Sequence, residues 1–546
     1  MFKIFNKIAL NAHKSIWKTL TGFTFIAEGE YGWRTQLGAL PAIPSFLTTE
    51  RALEMNLAAI VKPIVTKLPN TLFGALVALF TLATLAATSP SHANESVINS
   101  INSRSSQLTD LSDLIWDLAE VGYQETRSSE ALKSALSEEG FSIESGVAEI
   151  PTAFVASYGS GEPVIAIMGE FDALPGISQA AVPYPQPVEG KHSAQACGHH
   201  LFGAGSLGAT IAVKEWLEQT GTSGTIQFFG TPAEEGGSGK VYMVRAGLFD
   251  NVDTVIHWHP ASINAADSAS TLANRSAKFT FSGVSSHAAS APERGRSALD
   301  AVESMNFMVN LLREHVPAST RLHYVITDGG SAPNVVPNKA QSFYYVRHPN
   351  ENTLRSIWDR VIATADAAAM GTGTSMSYEI IHGNYSVLPN DTLAEVMHKN
   401  LSAVGGVHYS EADKAFAAEL AKSLPDDSLI TERAAQVKPY ASGSRGNGST
   451  DVGDVSWTVP TVGMSAATWV PGTGAHTWQA VAAGRTPIGH KGMIVAAKSM
   501  ALTAVDLFKN PALLSAAKDE FNTRRGPNFQ YEALLGDREP PLDYRR

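Results

Sequence analysis

Apolar residues recur along this chain in two periods, and the periods alternate. Leu108, Leu111, Leu114, Ile115 and Leu118 share one helical face within 98–140, a stretch that predicts two helices, the second closed by Gly140. A strand-like stretch around Thr152–Tyr158 follows. Next comes Val164-Ile165-Ala166-Ile167-Met168-Gly169, the unbroken apolar run of a strand buried on both faces. Thr225–Gly230, Val252–Ile256 and Pro460–Met464 repeat that run, with helical patterns at 201–219 and 238–249 separating the first three. Strands alternating with helices predict an α/β fold whose mixed, largely parallel sheet is flanked by helices.

Residues 276–384 follow a different order. A strand starts at Ala277, a helix covers Ser297–Glu314, and strands follow at Leu322–Thr327 and Ala340–Arg347. A helix near 352–370 and a strand near 376–381 complete an α+β sandwich inserted into the larger domain. The expected division is therefore 94–275 and 385–515 for the larger domain, 276–384 for the insertion and 516–546 for a tail. Residues 404–448 are polar and poorly patterned, predicting an excursion on the active-site side. Beyond about residue 522 the chain is rich in proline and charge, and is expected to wrap or fray.

Charge and composition narrow the function. The formal net charge is −11 and no Lys/Arg block occurs, which excludes nucleic acid as a partner. The single cysteine, Cys197, excludes an intramolecular disulfide. Near the start, the uncharged run 72–87 follows Lys62 and Lys67, and Ser-His-Ala at 91–93 precedes Asn94. A basic flank, a short apolar core and a small-residue site describe a secretory signal over 55–93, with export to the periplasm expected. Residues 1–54 then read as a mis-assigned extension or leader. Left uncleaved, the segment would be a membrane anchor; unused, it would leave the protein cytoplasmic.

Polar residues that can do chemistry follow the predicted strand ends. Asp172 follows the first run, Glu234 and Glu235 the second, His257 and His259 the third, and His476 the fourth, while Cys197 and His199 precede the helix at 201–219. In open α/β sheets, ligands bind outside the carboxyl ends of the strands. Cys197, His199, Glu235, His257 and His476 combine thiolate, imidazole and carboxylate, which suits zinc, manganese or a similar divalent ion. Five ligands exceed what one catalytic zinc with an open position needs, so they predict two metals sharing a bridging ligand. Adjacent Glu234 and Glu235 allow one to bind metal while the other serves as base. A cysteine nucleophile would leave Glu234, Glu235, His257 and His476 without a role. A solute-binding protein on the same scaffold would have no need of the base.

Gly169-Glu170-Phe171-Asp172-Ala173-Leu174-Pro175, Ala196-Cys197-Gly198-His199, Pro232-Ala233-Glu234-Glu235-Gly236 and His257-Trp258-His259-Pro260 together resemble a known family. It is the amidohydrolase branch of the dinuclear metallopeptidases that include aminoacylase and glutamate carboxypeptidase. Ser286-His287-Ala288-Ala289, Ser449–Trp457 and His476-Thr477-Trp478-Gln479 narrow the likeness to the subgroup acting on aminobenzoyl-glutamate. The resemblance implies a zinc-peptidase-like catalytic domain with an inserted dimerisation, or lid, domain. It implies hydrolysis of the amide of a small N-acyl or N-aroyl amino acid, with dipeptidase or carboxypeptidase activity as the alternative. It makes Cys197 the bridging ligand, puts His199 and His257 on one metal and Glu235 and His476 on the other, and makes Glu234 the general base. Asp172 would support the metal site. His287 would reach a partner's active site across a homodimer formed through 276–384, and Asn334 would lie near substrate. Arg347 is a candidate for a substrate carboxylate. One departure stands out: carboxypeptidase-type relatives place a substrate-reading arginine near Gly383-Asn384-Tyr385-Ser386, and none stands there.

Overall fold

The computed structural model describes residues 92–425 and 431–545. The expected leader and signal segment lie outside these residues, apart from the last two positions of the signal. Ten strands build two sheets: β1 Ser142–Ser145, β2 Phe154–Ser160, β3 Val164–Gly169, β4 Gly224–Gly230, β5 Thr254–Ala261, β6 Ala273–Ser282, β7 Arg321–Asp328, β8 Lys339–His348, β9 Ser375–Asn384 and β10 Thr461–Ala467.

The larger sheet has the order β1-β2-β4-β3-β5-β10. Strands β4, β3, β5 and β10 run parallel, and β1 and β2 extend the β4 edge antiparallel. β3 is apolar along its whole length because helices or loops cover both faces, and Ile165 to Met168 are fully buried. On one face lie α1 (His92–Ser103), α2 (Ser105–Leu118), α3 (His199–Thr220) and α8 (Pro487–Lys509). Trp216 of α3 meets Phe508 of α8 at 6.1 Å. The other face packs on α4 (Gly239–Arg245), through Val241 and Met243.

The smaller sheet, order β7-β8-β6-β9, is antiparallel throughout. Two helices, α5 (Ala298–Leu312) and α6 (Glu351–Thr372), cover one face and bury Phe279, Phe281, Tyr344 and Trp358 in a second core. Alternation sends Lys278, Phe343, Tyr345 and Arg347 to the opposite face.

Residues 404–448 are more ordered than their pattern predicts. They hold α7 (Glu411–Ala421), opened by a capping box between Ser410 and Asp413. Its buried face is Ala417, Leu420 and Ala421, too short and too alanine-rich to register as an apolar stripe. After a last helix, Pro511–Arg525, the chain crosses from the insertion to the larger domain as a strap. Tyr531 donates to Asp454 Oδ1 (2.7 Å), and Leu534 and Leu535 are buried. Arg245 donates to the carbonyls of Gly536 (3.0 Å) and Arg538 (2.7 Å), and Arg538 donates to the Ile381 carbonyl of β9 (2.7 Å).

Candidate metal centre and active site

The chemistry-bearing side chains meet at the carboxyl end of the four parallel strands. Glu170 and Asp172 follow β3, and Glu234 and Glu235 follow β4. His259 lies near the end of β5, Cys197 precedes α3, and the loop after β10 carries His476. Two clusters of ligand atoms result, each with its members within 4.8 Å of one another: Cys197, His199 and His259, and Cys197, Glu235 and His476. Cys197 belongs to both. Its Sγ is 3.5 Å from His259 Nε2, and His476 Nε2 is 3.1 Å from Glu235 Oε1. A third group joins Glu170, His199 and Glu234.

Asp172 organises this geometry from behind. Its Oδ1 is 2.9 Å from His199 Nδ1, and its Oδ2 accepts the Glu235 backbone N–H (2.9 Å). His199 Nε2 is thereby turned into the cluster, 3.0 Å from Glu170 Oε2. Yet His199 Nε2, Glu170 Oε2 and Glu235 Oε1 are all buried and make no hydrogen bond. Buried polar atoms are almost always satisfied. Ligand-type atoms that face one another without hydrogen-bond geometry, His199 Nε2 and Glu170 Oε2 in one place and Glu235 Oε1 and His476 Nε2 in another, fit divalent cations. The thiol gives the same indication. Burial, followed by the Glu235 carboxylate, pushes Cys197 up. A thiolate there needs a cation beside it.

Glu234 is only partly buried by accessible area, but its carboxyl sits among other acids. Loss of water, then Glu235 and Glu170, hold it well above the usual carboxylate range. Burial acts to raise Glu170 as well, but Lys240 and His199 outweigh it and hold that acid ionised. Lys240 Nζ lies 2.7 Å from Glu170 Oε1 and 2.8 Å from Asp451 Oδ1, all three side chains being essentially inaccessible. The turn carrying the two glutamates is fixed by another buried acid. Glu125 Oε1 accepts the N–H of Ala233 (2.8 Å), a residue at φ +57°, where only a tight local constraint holds a non-glycine side chain.

The structure separates the expected residues. Cys197, His199, Glu235, His476, Glu234 and Asp172 come together. His257 does not, and among the described residues belongs to none of the ligand clusters; His259 stands in its place. The reason is the length of β5, which runs on to Ala261 instead of ending before the histidines. The residue further along the strand therefore reaches the site. His257 lies against β10, where a Cβ on Gly463 would be 2.4 Å from its Nε2, and burial pushes it down to about 4. His200, buried and pushed down to about 3 by burial, also joins no cluster. His287 and Asn334 share an exposed part of the insertion, tied by the Ala288 N–H to the Asn334 carbonyl (3.0 Å). Neither side chain hydrogen-bonds to the cluster among the described residues. Arg347 lines a different cavity, of about 220 Å³, with Arg321, His323 and Arg445.

Lys240, Asp451, Glu170 and Glu125 are the supporting residues that pattern reading passed over. Lys240 follows Gly237-Ser238-Gly239, which imitates a fragment of a phosphate loop; the signal was a lysine opening an apolar helical turn, Val241-Tyr242-Met243-Val244.

Comparison with known proteins gives concordant results. A model described as peptidase family M20/M25/M40 matches residues 166–426. The chain is 42% identical to a subunit of the p-aminobenzoyl-glutamate hydrolase of Escherichia coli K12, over 74% of this chain and 90% of that protein. It is 30% identical to the Xaa-Arg dipeptidase of Mus musculus, over 77% and 89%. Among solved structures, an aminobenzoyl-glutamate utilization protein from Klebsiella pneumoniae superposes with a TM-score of 0.51 at 18% identity, covering 74% of this chain and 97% of that one. A dinuclear metal-binding M20 peptidase from Bacillus subtilis gives 0.50 at 18%, covering 74% and 98%. At these identities the structures speak to the fold alone.

Proposed function

Because this chain belongs to the M20/M25/M40 peptidase family, we propose that it is a two-metal hydrolase of N-acyl and N-aroyl amino acids, with aminobenzoyl-glutamate the leading substrate. The observation that carries the reading is the pair of ligand clusters sharing Cys197, with Glu234 beside them. Cys197, His199 and His259 would hold one cation, and Cys197, Glu235 and His476 the other, with zinc or manganese suiting the donors. When bound, such a pair acidifies a water and polarises the scissile carbonyl.

The protein's own groups do the rest. Glu234 takes the proton from the attacking water and returns it to the nitrogen of the departing amino acid. The neighbouring acids keep its affinity for that proton high enough to hold it through the transfer. Asp172 keeps His199 in one tautomer and fixes the Glu235 backbone, so neither ligand drifts.

The resemblance gives His287 the role of stabilising the tetrahedral oxyanion in a partner's site, and since its side chain makes no hydrogen bond to the cluster among the described residues, that role would need a second copy. The insertion offers a surface for it: Phe307 and Leu311 on α5 and Val325 and Ile326 on the edge strand β7 are exposed apolar side chains. We propose a homodimer through this edge. Export remains our reading of residues 55–93, and N-terminal sequencing of the exported protein at Asn94 would support it.

The central test is a hydrolysis panel with manganese or zinc, covering aminobenzoyl-glutamate, other N-acyl amino acids and dipeptides. Turnover of the acylated amino acids is expected. Glu234→Gln should keep its metal by elemental analysis while kcat falls roughly 100-fold to 10,000-fold. An active Glu234→Gln protein, or cleavage of dipeptides alone, would overturn the assignment.

A further inference from the structure

The strap reaches the site itself. Tyr544 stands edge-on to Tyr123 at 5.6 Å, and its hydroxyl donates to the backbone carbonyl of Glu235 (2.9 Å). Arg545 donates to the same carbonyl through Nη2 (2.6 Å), while its Nε is buried and makes no hydrogen bond. Beside them, next to Gly236, lies a cavity of about 300 Å³ between the strap and the open face of the smaller sheet. Lys278, Phe343 and Tyr345 line it from the sheet, and Arg538 and Arg545 from the strap.

The charges around this cavity are unbalanced. Among the described residues neither Lys278 nor Arg545 has a carboxylate within ion-pair distance. The Glu379 carboxylate in the wall is already held by Arg538 at 3.0 Å, and Asp543 is exposed. His382, edge-on to Tyr345 at 4.9 Å, is buried where Arg347, Arg538 and Arg545 all act on it, and after burial itself these cations help push it down to about 3. Two cations and two aromatic rings, next to a candidate metal ligand, make a receptor for an anion attached to an apolar or aromatic body.

The strap also accounts for the arginine missing at 383–386. A Cβ on Gly383 would come within 2.6 Å of the Leu534 carbonyl carbon, and the Tyr385 hydroxyl donates to the Glu532 carbonyl (3.0 Å). Those positions are occupied in seating the strap, which brings Arg545 instead.

We propose that Arg545, with Lys278 across the cavity, binds a carboxylate on the amino-acid half of the substrate, so that the strap is a specificity element. This rests on the hydrolase reading above. The carboxylate is either the side-chain or the α-carboxylate of the departing amino acid, and three substrates separate them: aminobenzoyl-glutamate, aminobenzoyl-glutamine, and the α-amide of aminobenzoyl-glutamine.

Arg545→Ala is expected to raise KM about tenfold or more with kcat nearly unchanged, and Arg545→Lys to recover part of it. A loss on glutamate alone assigns the side-chain carboxylate. Equal losses on glutamate and glutamine, spared in the α-amide, assign the α-carboxylate. Lys278→Gln, which does not touch Glu235, should show the same selectivity. Unchanged KM on all three, or an equal fall of kcat on all three, would reduce Arg545 to a prop for the Glu235 loop and overturn the proposal. Calorimetric binding of the same compounds to Glu234→Gln protein, with and without Arg545→Ala, decides the point without turnover. If the parent chain hydrolyses none of them but binding still shows the selective loss, the hydrolase reading fails and the carboxylate site stands. Absence of binding removes the site.

Discussion

Along β5, His257 and His259 point to the same face of the sheet, because side chains repeat every two residues on a strand. One step of that repeat, about 6.8 Å along the strand, separates a packing residue from a metal-ligand candidate. His259→Ala should therefore lose bound metal and activity together, read by elemental analysis of dialysed protein. His257→Ala should retain its metal and instead lose stability, by about 1–2 kcal/mol for truncating a half-buried side chain packed on β10, read as a lower urea midpoint. Retained metal in His259→Ala would return the ligand to His257. Cys197→Ser, common to both clusters, is expected to lose the most metal of any single change. The residue types of the centre were legible because thiolate, imidazole and carboxylate follow successive strand ends. The choice between two histidines was not, since it depends on where the strand stops, and β5 runs through Pro260, a residue that ordinarily marks a strand's end.

The α4 helix begins on a charge. Lys240 is its second residue and sits wholly inside the protein, between Glu170 and Asp451. A buried ion pair is weak evidence for net stability, but removing one partner strands the others. Lys240→Met should cost about 3–5 kcal/mol in chemical denaturation, far more than a surface lysine. The strap's anchor makes a second prediction. Burial pushes Asp454 up to about 7, against an ordinary value near 4, despite donors from Tyr531 and the Tyr385 N–H. The folded protein thus binds more protons than the unfolded chain between about pH 4 and 7, and this group's stability contribution declines as pH rises through that window. Asp454→Asn should flatten the decline in urea titrations run across it; an unchanged slope would exclude Asp454 as its source. Neither network could be read in advance. Strand and helix order follow from apolar period, whereas a buried lysine looks like any lysine until its two acids, far apart in sequence, are placed against it. Ala-rich α7 was missed for the related reason that alanine packs without marking a stripe.

Seen as a whole, one chain brings together the candidate ligands, the proposed base and the strap, while the His287 side chain makes no hydrogen bond to them among the described residues and the apolar edge of the insertion is exposed. Phe307→Glu with Leu311→Glu should shift the protein from dimer to monomer in light scattering. If His287 acts across that edge, the same double change should lower kcat while the metal stays bound. A monomeric parent protein would remove both expectations. The short edge strand β1, exposed along most of its length, left no pattern, while the alternation of two periods made strands β2 to β10 legible from the amino-acid order. The path of the strap was not, since it is held by side chains donating to its carbonyls and not by a pattern of its own.

The lysine pair has a further consequence, in time. Lys240 and Asp451 stand 211 residues apart in the chain, with the whole smaller sheet made between them. At about 5–20 residues per second, a ribosome needs on the order of ten to forty seconds to cross that interval. Throughout it, the insertion can close while the larger sheet waits for β10 and for the acid that completes its buried charge. The nascent catalytic half is then an open sheet edge whose buried lysine has Glu170 but not yet its second acid, a state that favours chaperone protection.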